Sequence, residues 1–390
     1  MRAAPATVVA GGETGPIPRN HSLHPGPPGL RPGLTRPRRG GGGPIQNGDQ
    51  ANIPAAPAPA PREQGWKRIL LALLAFVLLP LVPLLRVAVP IEQSLLLIVP
   101  ALATCAVVGW WVGGRFLLAL TWTALAIWMI VTPLPGTPAF VAIAKGWSLL
   151  LVGSFGVASI MSPRQAFFPR ALTAVGMSFA VGFALVVFAS KRPETVERAV
   201  RAEYTRRVDS WLADWESVSK TREWQEITRD NPGMDSLARE SSDRLRQLPA
   251  FTVPLFPSIL ALESLAVLAL AWGLYHRVSR ARIGAPLAPL KEFRFNDQLV
   301  WGLVLGITAV AVPTLKAFSI VGLNLLVFFG ALYALRGLGV LAWFFAPGRL
   351  MVALTIGLAI FIWPLLGVFA LGVGLGDTWL DWRSRPRPTT

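Results

Sequence analysis

Eight or nine apolar stretches crowd residues 68–376, several of them running for 17 or more residues with scarcely a charge. In a bilayer every backbone N–H and C=O has to be satisfied within the crossing segment, so stretches of this length read as membrane-spanning helices. The expected fold class is all-α: a polytopic transmembrane helix bundle of about eight to nine spans with an extramembrane helical hairpin. The spans fall near 68–88, 91–112, 116–133, 139–161, 168–190, 251–275, 298–314, 318–346 and 350–376.

Charge and composition agree. Charged residues make up 15% of the chain, against roughly 25% in soluble domains. A net charge of +16 would point a soluble protein toward nucleic acid. Here the basic residues gather in the tails and short loops, as the positive-inside rule requires of a membrane chain, so no nucleic acid is expected. With a cytoplasmic N-terminus, the loops carrying Arg115, Arg164 with Arg170, and the block from Arg277 to Arg294 fall inside. The single Cys105 rules out an intrachain disulfide.

The chain divides into five regions. Residues 1–65 are rich in Pro and Gly, carry Arg36, Arg38 and Arg39, and read as a disordered cytoplasmic tail, because they cannot bury enough apolar surface to offset chain entropy. Residues 66–190 hold five spans, 191–249 the hairpin, 250–379 the C-terminal spans and 380–390 a polar basic tail. Nine crossings would put Arg383, Arg385 and Arg387 outside. A break at Pro364 that makes the last stretch a re-entrant pair, or an incomplete earlier crossing, would remove that conflict.

In the hairpin region, Val196, Val200, Tyr204, Val208, Trp211, Trp215 and Val218 recur at steps of three and four, which places them along one helix face. Asn231-Pro232-Gly233 marks a break, and Met234, Leu237, Leu245 and Leu248 suggest a second, weaker amphipathic helix. Twelve basic and twelve acidic residues balance between Lys191 and Arg246, which suits a translocated segment. The stripe with Trp211 and Trp215 fits a lid or docking surface over an external cavity, and equally a structural cap.

Polar groups inside the spans are the candidate site. Lys145, Glu263 and Arg336 each cost on the order of 2.5 kcal/mol or more in lipid, so they should face the bundle interior. Glu263 and Arg336 lie at similar depths, about 3 Å apart along the membrane normal at 1.5 Å per residue, and are placed to pair. Asn324 reads as an interhelical contact or a ligand donor. Gly302 with Gly306, and Ala174, Ser178 and Gly182, form small-residue ridges for close helix contacts.

Enzyme chemistry is not expected. His21, His24 and His276 are scattered between the tail and a helix end, and no nucleophile elbow, phosphate loop or His-Glu-x-x-His occurs. No catalytic residue, metal or cofactor is assigned. Asp377 and Asp381, four apart beside Trp379, Trp382 and Arg383, read as an interfacial anchor rather than a cation site.

Phe293-Arg-Phe-Asn-Asp-Gln-Leu-Val-Trp301, Gly322-Leu-Asn-Leu-Leu, Leu335-Arg-Gly-Leu338 and Leu375-Gly-Asp-Thr-Trp-Leu-Asp-Trp-Arg383 resemble the YybS-like family of bacterial multi-pass membrane proteins. The resemblance implies a transporter-like bundle in the bacterial plasma membrane. It also implies a distant similarity to the substrate-binding components of energy-coupling-factor transporters. Such components commonly carry Ala-x-x-x-Ala in the first helix, where this chain has Ala72 and Ala75. Two functions follow as expectations. One is a transport-related protein that binds a small solute beneath the hairpin, with the lipid bilayer, the solute and transporter coupling subunits as partners. The other is a membrane scaffold or envelope-assembly factor that presents the hairpin.

Overall fold

The computed structural model describes residues 90–190, 194–279, 281–345 and 349–384. The tail 1–65, the first apolar stretch at 68–88, and Arg385 and Arg387 lie outside the described residues. Helices and short helical turns make up the described secondary structure. They are α1 Ile91–Trp111, α2 Phe116–Val131, α3 Pro138–Met161, α4 Phe167–Leu185, α5 Glu194–Ser219, α6 Arg222–Asp230, α7 Pro232–Val278, α8 Val300–Ala311, α9 Ser319–Phe345 and α10 Arg349–Leu380.

The expectation of eight to nine spans is met in part. Five described helical segments are long and apolar enough to cross a membrane: Ile91–Trp111, Pro138–Met161, Phe167–Phe188, Ser236–Val278 and Pro313–Phe345. Three shorter apolar helical segments accompany them, Phe116–Val131, Asp297–Ala311 and, as part of α10, Leu365–Leu380. At ~1.5 Å per residue, sixteen residues of α2 reach about 24 Å, short of the ~30 Å hydrocarbon core.

Local chemistry sets the joints. After α1, Gly113 takes φ +98° and the Gly114 N–H returns to the Gly109 carbonyl at 3.0 Å, a left-handed helix stop. Pro138 opens α3 at its first helical position, where its missing N–H costs nothing. Pro232 does the same for α7. That helix then runs for 47 residues to Val278 through Pro249, Pro254 and Pro257. The second arm of the hairpin and the following span are therefore one element. At 1.5 Å per residue it is ~70 Å long, more than twice the hydrocarbon thickness, so much of its N-terminal half must stand clear of the membrane.

The hairpin closes on its apolar stripe. Val200, Tyr204 and Val208 of α5 are buried against α7, whose Leu245 and Leu248 are buried with them, and the Tyr204 ring meets Phe256 edge-on with centroids 6.4 Å apart. Within the membrane portion, α1, α3, α4 and α7 share a core around Leu97, Leu151, Phe155, Leu268 and Trp272. The small-residue ridges pack as expected. Gly306 and Gly322 face each other so closely that a Cβ on either would come within 3.0 Å of the other's carbonyl oxygen, and Ala174 and Ser178 are fully buried.

Candidate functional site: a cavity beneath the hairpin

The hairpin is tied down by one carboxylate. Glu203 of α5 is completely buried and accepts from the Thr137 N–H at 2.7 Å, from Arg206 at 2.6 and 3.0 Å, and from Arg207 Nε at 2.9 Å. Thr137 belongs to the turn between α2 and α3, where Gly136 takes φ +144° directly beside the carboxylate. Burial pushes the Glu203 carboxyl up, but the hydrogen bonds from Arg206, Thr137 and Arg207 outweigh it and bring the value down from 4.5 to about 2. The folded value is depressed, so the contribution of Glu203 to docking is complete above 4.5 and is lost as pH falls toward about 2. Intrinsic tryptophan fluorescence should report this. Trp211 stacks on Trp215 at 5.8 Å with planes 4° apart, and Trp215 meets Trp224 at 4.9 Å, so loosening of the hairpin perturbs a three-ring ladder. The expected acid transition below 4.5 is absent in Glu203→Gln. An unchanged transition in that variant would move the docking interaction elsewhere.

Under α5 lies a cavity of about 180 Å³, bounded by the start of α1, the α2–α3 turn and the first turns of α3. Gln93, Phe140, Glu203, Arg206, Arg207 and Trp211 line it. The Arg207 guanidinium also sits 4.8 Å over the Phe140 ring. On the inner wall, Gln93 Nε2 donates to Glu263 at 2.9 Å and Ser94 Oγ donates to it at 2.8 Å. Nearby, Trp147 Nε1 donates to Ser264 Oγ at 3.0 Å and Ser148 Oγ to the Leu96 carbonyl at 2.8 Å, so α1, α3 and α7 are joined by buried polar contacts.

The four polar residues expected inside the membrane do not form one site. Trp211 lines the cavity, with Trp215 one ring behind it, and Glu263 lies behind the wall, bonded to the lining residue Gln93. Lys145 is part-buried and donates to the Thr132 carbonyl at 2.9 Å, where it satisfies the exposed carbonyl end of α2. Asn324 is an interhelical contact. Its carboxamide accepts from the Ser258 N–H at 2.9 Å and donates to the Pro254 carbonyl at 2.7 Å, bridging two groups of α7 that a regular helix would bond to each other.

Arg336 corrects the expected pairing with Glu263. It bonds Asp377 at 2.9 Å and Asp297 at 2.6 Å, while Glu263 takes its hydrogen bonds from Gln93 and Ser94. Asp377 likewise departs from the expected interfacial anchor, being 1% exposed and shared between Arg336 and Arg383, the latter at 2.6 Å. Asp381 leaves the helix at φ +38° and pairs with Arg294 at 2.7 Å. Arg383 also donates to the Phe293 carbonyl at 2.9 Å. Three separate sequence motifs, Phe293–Trp301, Leu335–Leu338 and Leu375–Arg383, thus converge on one ion network in which the buried charges have partners.

The sequence profile of the predicted membrane protein family DUF2232 matches residues 69–378. The chain belongs to that family. The matched region includes the hairpin, the cavity, Glu263 and both Arg336 and Asp377. It is a multi-pass membrane protein of apolar helices. Comparison with curated proteins and with solved structures finds no match.

Sequence reasoning missed Gln93, Ser94, Glu203 and Arg207. The run Glu92-Gln-Ser94 at the head of an apolar stretch was a visible signal, since three polar residues entering a span have to face something other than lipid. Glu203 had no such signal. It is one of many acids in a charge-balanced amphipathic helix, and only the α2–α3 turn packed against it sets it apart.

Proposed function

We propose that the protein is a solute-binding, transport-related component of the bacterial plasma membrane, holding a small zwitterionic solute in the cavity beneath α5. The cavity carries this reading. Basic Arg206 and Arg207 and acidic Glu92, Glu203 and Asp214 surround a space that Trp211 and Phe140 close with aromatic surface. Both signs of charge at one opening suit a ligand with both an amino and an acidic group. At about 180 Å³ the cavity is many times the ~10–15 Å³ that one water requires on this measure, room for a solute of amino-acid size. A transporter coupling subunit would be the partner that turns binding into movement.

The test is a thermal-shift panel of free amino acids on the detergent-purified full chain, with native mass spectrometry of the untreated preparation. A fitting solute at about 100 times its Kd should stabilise the protein by about 2.7 kcal/mol, and Trp211→Ala should remove the shift. No bound solute and no shift across the panel would reject the reading. One observation favours the scaffold reading instead: Val218, Ile227, Met234 and Leu237 leave an exposed apolar edge at the hairpin tip. A protein partner retained by Trp211→Ala but lost on Ile227→Lys would select it.

A further inference from the structure

We infer that Glu263, with Gln93 and Ser94, forms an exchangeable monovalent-cation site behind the cavity wall at Gln93, taking a proton or a sodium ion. Glu263 lies within the long α7 span and is 8% exposed. Its two hydrogen bonds come from neutral groups, Gln93 Nε2 and Ser94 Oγ. Such donors orient a carboxylate without cancelling its charge, and a buried charge requires a countercharge or a proton.

Gln93 supplies the second observation. It is 8% exposed, its Nε2 is engaged by Glu263, and its Oε1 is buried without a partner. A carboxylate, a hydroxyl and a carboxamide oxygen make an oxygen ligand set of the kind hard cations take. Gln93, Phe140 and Ala144 line the 180 Å³ cavity and also a narrower void of about 10 Å³ between α1, α3 and α7. The void is close to one water-sized probe, enough for a desolvated small ion or a single relaying water. Both spaces reach Gln93, whose carboxamide is bonded to the carboxylate.

The charged and titratable groups around Glu263 are accounted for. From α5, Arg207 and Tyr204 act on it electrostatically. Arg207 and Arg206 are bonded to Glu203. From α3, the Lys145 ammonium is held by the Thr132 carbonyl, and Ser148 and Trp147 are neutral. From α9, Asn324 is occupied by the α7 backbone. Binding of a proton forms one O–H bond on Glu263 and removes its charge; binding of sodium balances the charge with no bond broken. This inference rests on the cavity reading only for the purpose to which the cation is put.

The experiment uses the full-length protein in lipid nanodiscs without added solute, as wild type, E263Q, S94A and E226Q. Melting temperature is followed while sodium replaces choline at constant ionic strength, and infrared difference spectra between acidic and alkaline buffer report the carboxylic-acid C=O stretch. A sodium-dependent rise in melting temperature identifies sodium, and a titrating carboxylic-acid band identifies the proton. Either response should vanish in E263Q and persist in E226Q, whose carboxylate is exposed on α6 and lies outside the cavity lining. S94A keeps the carboxylate and should move the midpoint by about tenfold in cation concentration, the loss of one hydrogen bond to a charged group. That variant decides the matter if E263Q does not fold. No response in the wild type, a response unchanged in E263Q, or an unmoved midpoint in S94A would overturn the inference. A cation response without amino-acid binding would leave it standing and remove the solute reading, and the reverse result would do the opposite.

Discussion

Asp377→Asn should destabilise the protein by about 3–5 kcal/mol, because removing one member of a buried ion pair leaves the opposite charge uncompensated. Here two charges are affected. Asp377 Oδ2 accepts from Arg336 Nε at 2.9 Å and from Arg383 at 2.6 Å, and the side chains of both arginines are nearly sequestered from solvent. Arg336 keeps Asp297 as a partner, but the side chain of that acid is 59% exposed and its pairing is weakened by water. Asp297→Asn should therefore cost no more than about 1 kcal/mol. Thermal and chemical unfolding of both variants in one gentle detergent provides the comparison. Equal losses would mean that the network does not concentrate its stabilisation on the buried carboxylate. Because the network joins the segment before α8 to α9 and to the end of α10, the Asp377 variant should also expose the 290–299 segment to proteolysis.

The second large effect is expected from Gly337→Ala. A Cβ at Gly337 would fall onto the carbonyl oxygen of Ala370, and one at Gly374 onto the carbonyl oxygen of Tyr333. Both obstacles are backbone atoms, which cannot rotate away as a flexible side chain can. The two helices must separate, with loss of packing along their contact, and overpacking of this kind costs about 1–3 kcal/mol or more. Gly367 of α10 provides the contrast, since a Cβ there meets nothing within 4 Å. Gly367→Ala should be neutral or stabilise by up to about 1 kcal/mol through helix propensity. If the Gly337 and Gly367 variants melt alike, close backbone contact between α9 and α10 is not what holds that end of the bundle.

The two effects share one origin. Arg336 and Gly337 are adjacent, as are Gly376 and Asp377, so the short motifs at these positions combine a charge with a close-contact glycine. The glycines bring the helices near enough for the buried charges to meet, and the charges need that proximity to compensate their desolvation. Gly376 adds a further close approach, to the Trp382 ring, where a Cβ would come within 2.7 Å.

Much of the architecture could be read from residue order alone. Apolar runs located the helices because the requirement to satisfy backbone groups in lipid acts on each segment separately. The three-and-four spacing from Val196 to Val218 revealed the buried face of α5 because helical periodicity is equally local. Glu263 and Trp211 were singled out as a costly charge and a large aromatic; Trp211 lines the cavity and Glu263 bonds Gln93 of its lining. The pairing of Glu263 with Arg336 failed for a geometric reason. Depth along the membrane normal follows from counting residues, but the direction a side chain faces around its helix, and which helix stands opposite, depend on how the bundle assembles. The same limit applied to α7. Pro249, Pro254 and Pro257 argue locally for a break, yet the helix continues, with Asn324 of another helix bonding both Pro254 and Ser258.

Sequence by itself therefore determined that this chain is a helical membrane protein with an amphipathic hairpin, because hydrophobicity and periodicity are properties of consecutive residues. Only the tertiary structure decided that Glu203 seats the hairpin on the α2–α3 turn, that Glu263 faces Gln93 and Ser94, and that Arg336 closes onto Asp377. Each of those contacts joins residues at least 41 positions apart, and a hydrogen bond of about 3 Å between such distant groups is set by the relative placement of whole helices.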